Sequence, residues 1–157
     1  QLGYQAENGT WRNFYLSAAR ELRDGVVVMP TPSTATPDAV TAMTVEMFLD
    51  FLAIRLNGPK AADRAYTFDL QFTDLGERYL LEVENGVLNH TKGAVAESPT
   101  GALTLERAAI DRLAIGQATF ADLVADGSII VEGDTAALVD FFGLLDTFEF
   151  WFDIVTP

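Results

Sequence analysis

The sequence contains no cysteine and a single histidine. The lack of cysteine excludes a disulfide scaffold and a thiolate metal site, but it leaves the redox compartment open. A zinc site needs several His, Cys or carboxylate ligands at short spacings, and His90 has no neighbour at such a spacing. We therefore expect His90 to be a hydrogen-bonded histidine at the edge of a sheet. We expect no metal site in this chain.

Motifs for other kinds of catalysis are also missing. None of the four serines lies in a Gly-x-Ser-x-Gly turn, and no glycine-rich loop of the type that binds phosphate is present. The carboxylate pairs Asp74/Glu77 and Glu82/Glu84 are typical of solvated strand and turn residues in a chain with 23 acids. The sequence therefore predicts no catalytic residue and no enzymatic activity for this chain alone.

Long apolar runs and positive charge are scarce. No stretch is long enough to predict a membrane span. The chain has 10 Lys and Arg against 23 Asp and Glu, a net charge of −13, and no Lys or Arg follows Arg112. A surface of this sign repels phosphate backbones, which excludes nucleic acid as an expected partner. Because the first residue is Gln1 rather than Met, we expect a mature product or a fragment.

The first element that the sequence does contain is an amphipathic helix over 10–24. Its apolar residues follow helical spacing along one face: Trp11, Phe14, Tyr15, Ala18, Ala19 and Leu22. Thr10 is its predicted N-cap and Gly25 its predicted stop. A polar stretch with three prolines then predicts an extended linker over 29–43. The predicted organisation is 1–28 as the end of a helical region, 29–43 as the linker and 44–157 as a domain.

Within 44–157 the patterns predict an α+β fold. A helix over 44–57 carries two adjacent apolar stripes, which is typical of a helix that is mostly buried or lines a cavity. Three strands then form a meander with Phe72 opposite Tyr79 and Leu81 opposite His90, which collects the large apolar residues on one face. Further predicted elements are a strand at 103–105, helices near 106–115 and 119–124, a strand at 128–132 and a final helix to about 145. The prediction is a mixed, mostly antiparallel sheet of about five strands covered by helices, preceded by the separate amphipathic helix.

The remaining signal is a surplus of apolar side chains near the end of the chain and on the 44–57 helix. An ordinary core and a cavity for an apolar ligand both account for this surplus. If a cavity exists, its candidate lining residues are Phe48, Phe51, Leu81, Phe141, Phe142, Leu145, Phe148 and Trp151.

Two segments resemble known families. The run Gly127-Ser-Ile-Ile-Val-Glu-Gly-Asp134, preceded by Gly116 and Phe120 and followed by Phe142, resembles the sterol-carrier-protein type 2-like fold. In that fold a helix ending in glycine precedes a short helix, then a strand of this pattern, then a last helix. The stretch Leu2–Gly25 and the ending Phe152–Pro157 look like those of bacterial alkyl sulfatases, from the end of the dimerisation domain and from the C-terminus.

The resemblance implies a parent enzyme of the metallo-β-lactamase superfamily that hydrolyses fatty sulfate esters with zinc. The zinc motifs of that family belong to a separate N-terminal catalytic domain, and none maps onto this chain. The compartment stays open among bacterial cytoplasm, periplasm and secretion. The resemblance also implies a homodimer, for which Trp11, Phe14, Tyr15 and Leu22 are the candidate interface residues.

These observations support one leading hypothesis and two alternatives. The leading hypothesis is a non-catalytic domain that binds the alkyl chain of a fatty sulfate or fatty alcohol. The main alternative is a structural domain that covers or docks on the catalytic domain without binding a ligand, and the third is a self-sufficient enzyme. The net charge predicts that alcohols bind more tightly than sulfates, unless Arg78, Lys92 or Arg107 lies beside the head group.

Overall fold

The computed structural model describes residues 1–26, 37–147 and 152–155. Contacts divide these residues into two compact units, one formed by 1–26 with 152–155 and one formed by 37–147. Each unit is described by itself. The boundaries predicted from the sequence, 1–28, 29–43 and 44–157, stay predictions.

The first unit contains two helices, α1 (Leu2–Gln5) and α2 (Gly9–Asp24). The side chain of Asn8 accepts hydrogen bonds from the backbone N–H groups of Thr10 and Trp11, at 2.9 and 3.2 Å. The prediction of Thr10 as the N-cap is therefore wrong, because Thr10 already lies inside the helix and Asn8 has the extended backbone that a cap requires. Gly25 ends α2 with a φ of 78°, as predicted.

The segment 152–155 is anchored on α2 by a buried carboxylate. The Glu21 carboxylate accepts hydrogen bonds from the N–H groups of Ile154 and Val155, at 2.7 and 3.0 Å. Charge-assisted bonds of this kind are among the stronger ones in proteins. Nothing in the sequence pattern indicated that Glu21, at one edge of the apolar face of α2, would hold another part of the chain.

The second unit begins with a helix where an extended linker was predicted. Residues Pro37–Ala42 form α3, and Val40 within it is buried. Proline is well suited to the first helical position, because its N–H group would have no partner there and its φ angle is already helical. Pro37 therefore begins a helix instead of interrupting one.

The other elements of this unit follow the predicted order, with one addition. The elements are α4 (Val45–Arg55), α5 (Gly58–Ala61), β1 (Tyr66–Phe72), β2 (Glu77–Glu84), β3 (Val87–Lys92), β4 (Gly101–Leu105), α6 (Arg107–Ala114), α7 (Phe120–Ala125), β5 (Ile129–Gly133) and α8 (Thr135–Gly143). Neither α5 nor α1 was predicted from the sequence. Each spans four residues, too short for a hydrophobic period.

The five strands form one sheet in the order β3-β2-β1-β4-β5. Neighbouring strands are antiparallel except β1 and β4, which pair in parallel. The α+β class and the sheet of five mostly antiparallel strands are confirmed. The sequence from α6 to α8 also has the element order that the sterol-carrier-like resemblance implied: a helix ended by Gly116, a short helix, a strand and a last helix.

The predicted register is correct for one hairpin and wrong for the other. Leu81 lies opposite His90, as expected, whereas Phe72 lies opposite Glu77 and not Tyr79. The turn between β1 and β2 has four residues, 73–76, where the prediction assumed the two residues Leu75 and Gly76. A shift of two residues keeps every side chain on its predicted face, because side chains alternate along a strand.

One face of the sheet and the helices enclose a single apolar core. Phe68, Phe72 and Tyr79 on the sheet are almost completely buried, as are Leu49 on α4 and Leu123 on α7. Leu138 and Phe141 contribute from α8. Among the helices of the described residues, none is long and apolar enough to cross a bilayer.

Candidate functional site

Helix α4 forms one side of the candidate site. It begins after Thr44, whose side chain accepts the N–H of Met47 at 3.2 Å. One apolar stripe, including Phe48 and Leu49, is buried in the core, whereas the second stripe of Met47, Phe51 and Ile54 is exposed. Of the two alternatives that the sequence predicted for this helix, the second fits: α4 is not mostly buried, and its residues line the two spaces described below. Its second stripe faces away from the sheet and leaves apolar side chains available at the surface.

The end of α4 is joined to the segment that follows α8. The N–H of Asn57 donates to the carbonyl of Leu144 at 2.9 Å, and the N–H of Asp146 donates to the carbonyl of Arg55 at 2.8 Å. The pairing of Leu56 with Leu145 forms an isolated β-bridge between the same segments. These bonds fix the segment of Arg55 beside the segment of Leu145.

Helix α8 is held to the sheet by a polar cluster at its side. The hydroxyl of Tyr66 and the Nε of Arg64 donate to the same Asp140 oxygen, at 2.7 and 2.9 Å. These two bonds, the Tyr66 bond foremost, hold the pKa of Asp140 below its usual range. The cluster positions α8, from which Phe141 and Phe142 project toward the core.

Two apolar spaces lie near these helices. The inner one is a cavity of about 70 Å³ between the sheet and the helices, with an apolar lining that includes Phe68, Leu81 and Phe141. This is less than half of the ~150 Å³ apolar cavity that is known to accept benzene. The inner cavity is too small for an alkyl chain as it stands.

The outer space is a groove of about 450 Å³ bordered by α3, α4, α6 and the end of α8. We call it the outer groove; its lining residues are Val40, Met43, Phe48, Phe51, Leu52, Arg55, Leu113, Ala114, Phe142, Leu145 and Thr147. Its volume lies within the range of roughly 300–1,000 Å³ that is usual for small-molecule sites. All but two of its lining side chains are apolar, which suits a hydrocarbon.

Four side chains separate the outer groove from the inner cavity. Phe48, Leu52, Leu113 and Phe142 line both spaces. Phe142 packs against Phe120 and Phe141, with ring centroids 4.8 and 5.5 Å apart. We call these four residues the dividing wall. Movement of the wall would connect the two spaces.

The candidate lining residues from the sequence distribute over both spaces. Phe48 and Phe142 line both spaces. Leu81 and Phe141 line the inner cavity, and Phe51 and Leu145 line the outer groove. Phe148 and Trp151 lie outside the described residues. The structure brings six of the eight candidates to two adjoining spaces, and their role in binding stays a prediction.

Basic residues near the site differ from those that the sequence suggested. Arg78 bonds Gln71, Lys92 bonds Glu77 at 2.6 Å, and none of Arg78, Lys92 and Arg107 lines the outer groove. Arg107 pairs with Asp111 and donates to the carbonyl of Val40 at 2.7 Å, which fixes α3 beside α6. Arg55, which the sequence analysis did not select, is the basic residue at the groove.

The candidate interface residues lie on α2 in the first unit. Trp11, Phe14 and Leu22 are 64%, 59% and 66% exposed, and Tyr15 is also exposed. Trp11, Phe14 and Tyr15 line a shared shallow depression. The described residues of this unit therefore leave the aromatic face of α2 largely uncovered.

The histidine has the role expected from the sequence. The Nε2 of His90 lies 2.8 Å from Asp50 Oδ1, and β3 is an edge strand of the sheet. In the part of the chain that the structure describes, no three His, Asp or Glu side chains come together in a way that would hold a metal ion. The described residues therefore do not fit a zinc site.

Comparisons with known proteins found alkylsulfatases and, at a lower TM-score, a sterol carrier protein. The chain is 51% identical to a linear primary-alkylsulfatase of Pseudomonas sp. over 157 residues, which are 100% of this chain and 23% of that protein. A stereoselective inverting sec-alkylsulfatase from Pseudomonas sp. has a solved structure that covers 94% of this chain with 23% of its own, at a TM-score of 0.75 and 36% identity. A sterol carrier protein 2 from Yarrowia lipolytica covers 71% of this chain, at a TM-score of 0.44 and 20% identity.

The chain thus spans about a quarter of the length of the alkylsulfatases that it matches. Residues 1–25 match the family model described as alkyl sulfatase dimerisation. Residues 33–157 match the model described as alkyl sulfatase C-terminal, and the chain belongs to that family.

Proposed function

We propose that the unit formed by 37–147 binds the alkyl chain of a fatty sulfate or fatty alcohol, as a non-catalytic part of an alkyl sulfatase. The single observation that carries this proposal is the outer groove, an open and mostly apolar space of about 450 Å³. The names of the relatives support the substrate class, because they describe enzymes that act on alkyl sulfates.

The groove suits a flexible hydrocarbon more than a flat or polar ligand. Its walls come from Val40, Leu113 and Leu145 on three separate segments, together with the rings of Phe48, Phe51 and Phe142. Each buried methylene contributes about 0.8 kcal/mol, so eight of them contribute roughly 6 kcal/mol before the entropy cost of binding. In such a site the buried hydrocarbon, and not a specific polar contact, would supply most of the favourable free energy of binding.

Hydrolysis belongs to a part of the parent protein outside this chain. The described residues provide no zinc ligand set, and the proposed zinc ion would be held elsewhere in the parent. In this arrangement the unit binds the hydrocarbon part of a substrate or product near the catalytic domain, and raises its local concentration there.

The test is isothermal calorimetry with decanol, using the variant Ala114→Trp. Ala114 lines the outer groove, so an indole at this position would fill space that the ligand needs. The matched control is Ala121→Trp, at an exposed position of α7 that does not line the groove. We expect at least tenfold weaker decanol binding in Ala114→Trp and unchanged binding in the control. Equal effects of the two variants would contradict a site in the groove.

A second candidate function is supported by the exposed stripe of α4. Met47 and Ile54 are 54% and 72% exposed, and they continue from Phe51 at the groove. Adjoining apolar side chains on a surface often mark a protein contact. If the wild-type chain binds no decanol, this stripe and the groove together favour a structural domain that docks on the catalytic domain.

A further inference from the structure

Arg55 stands apart from the other basic residues of the 37–147 unit. Each of the six others bonds a carboxylate or amide side chain: Lys60 to Asp146, Arg64 to Asp140, Arg78 to Gln71, Lys92 to Glu77, Arg107 to Asp111 and Arg112 to Asp126. Among the residues that the structure describes, Arg55 has no side-chain acceptor. Arg55 is therefore the one Lys or Arg among the described residues of this unit whose side chain forms no hydrogen bond or ion pair with another side chain.

Its guanidinium is nevertheless held in place. The Nε atom donates to the carbonyl of Asp146 at 2.8 Å, and the guanidinium carbon lies 5.6 Å from the centre of the Phe51 ring. The nearby Asp146 carboxylate is occupied by Asn57 at 2.7 Å and by Lys60 at 3.4 Å. The two terminal NH₂ groups of Arg55 thus have no partner among the described residues, while the side chain has a fixed position beside an apolar ring.

Arg55 also lines the outer groove, whose other lining side chains are apolar except for Thr147. A fixed guanidinium with free donors matches the planar or tetrahedral oxygens of an anionic group. An apolar groove with one such cation at its edge has the chemistry of a site for a single-chain anionic amphiphile.

We propose that Arg55 binds the anionic head group of an amphiphile whose alkyl chain lies in the outer groove. The shared chemistry is a sulfate or carboxylate on one saturated chain. This inference rests on the proposed function, and it reverses the preference for alcohols that the net charge of −13 predicts. The local cation, and not the overall charge, then decides which head group is bound.

The experiment measures dissociation constants of the full 157-residue chain for decanol below its solubility limit, and for decyl sulfate and decanoate below their micelle concentrations. The variant Arg55→Gln removes the charge and keeps a polar side chain of similar reach. The control Arg78→Gln changes the net charge equally, but at an exposed residue of β2 that bonds Gln71 and does not line the groove. Circular dichroism and the thermal midpoint are measured on each protein to verify that it is folded.

We expect the wild type to bind decyl sulfate more tightly than decanol. Arg55→Gln should weaken decyl sulfate binding about tenfold, the usual effect of losing one charge-assisted hydrogen bond, and should weaken decanol binding much less, because an alcohol carries no charge. Arg55→Lys should weaken it less, because the charge remains and only the planar fork is lost. Arg55→Gln should reduce the affinity for decanoate as well as for decyl sulfate. The larger of the two losses identifies the anion that Arg55 binds better.

The two proposals fail in different ways. If the wild-type chain binds none of the three ligands, the proposed function is wrong. If it binds decanol but Arg55→Gln and Arg78→Gln change decyl sulfate binding equally, the groove stands and the head-group assignment to Arg55 is wrong.

Discussion

Gly133, at the end of β5, shows how a single residue sets the position of the last helix. An added Cβ would lie 2.8 Å from the carbonyl oxygen of Thr100 and 3.0 Å from Gly101 Cα, and the φ of Gly133 is +86°. The next residue, Asp134, accepts the N–H groups of Ala136 and Ala137 and so caps α8. Gly133 thus allows β5 to approach the backbone of Thr100 and Gly101, and the next residue, Asp134, begins α8.

We predict that Gly133→Ala destabilises the chain by about 1–3 kcal/mol, because alanine must adopt a positive φ against a neighbouring backbone. Gly143→Ala is the control, at the end of α8, where nothing lies within 4 Å of the added Cβ. It should stabilise the chain by about 0.5 kcal/mol through the higher helix propensity of alanine. Urea unfolding measures both changes, and equal destabilisation by the two variants would contradict the argument.

Residue roles set by local bonds could be predicted from the sequence. The capping box of Thr119 and Asp122 is an example, because it needs only residues three positions apart. Arg55 could not be predicted. A basic residue in the last turn of a helix is ordinary, and its lack of a side-chain partner depends on segments that are distant in sequence.

At the scale of elements, the dividing wall determines how much space a ligand finds. Phe142 lies between the outer groove and the inner cavity, whereas Phe120, which contacts its ring, lines only the inner cavity. These two phenylalanines therefore provide a matched pair for testing whether the wall limits ligand length.

We predict that Phe142→Ala joins the two spaces and shifts binding toward longer chains. The affinity ratio of dodecanol to octanol should rise severalfold relative to wild type, because each additional buried methylene contributes about 0.8 kcal/mol. The chain should also lose about 2–3 kcal/mol of stability, less than for a fully buried phenylalanine. In Phe120→Ala the affinity ratio should stay constant, and an equal rise there would show that the wall does not limit length.

The periodic patterns predicted the elements of the second unit better than their pairing. Side-chain alternation identified which face of each strand is buried, and that face is correct on β1, β2 and β3. The predicted register of the β1–β2 hairpin is wrong at the turn that contains Asp74. The Asp74 carboxylate accepts the N–H of Arg107 at 3.1 Å, at the start of α6. A four-residue turn with a side chain that bonds a distant helix cannot be recognised from the alternation of apolar residues nearby.

At the scale of the whole molecule, the aromatic face of α2 predicts self-association. Burying Trp11, Phe14, Tyr15 and Leu22 would contribute roughly 1.5–3 kcal/mol for each fully covered side chain. Residues 1–25 match a family model named for dimerisation, which supports a second copy of this chain as the partner.

We predict that Phe14→Asp converts a dimer into a monomer, measured by light scattering across a concentration series. The change places a charge among apolar side chains that would be buried between two chains. Ser17→Asp, at an exposed position on the same helix, adds the same charge and should leave the dimer intact. A wild-type chain that is monomeric, with Trp11 open to aqueous quenchers, would refute this prediction.

The strand order of the second unit could not be predicted from the sequence. A meander of three strands followed by two more is compatible with several orders. The parallel pairing of Leu70 with Leu103 depends on how the loop at 93–100 crosses the sheet. Only the complete core, which both strands share, selects that arrangement.

The parallel pairing of β1 with β4 also has a consequence for synthesis. When β1, β2 and β3 have left the ribosome, β1 has one hydrogen-bonded neighbour and one open edge, and its partner at 101–105 has not yet been translated. At roughly 5–20 residues per second, that edge stays open for about one to three seconds. Its outward-facing Asp69 later accepts the N–H of Ala96 at 3.1 Å, and until then it places a negative charge on the strand. Because charges on an exposed strand edge oppose pairing with other chains, we expect Asp69 to disfavour such pairing until β4 has formed.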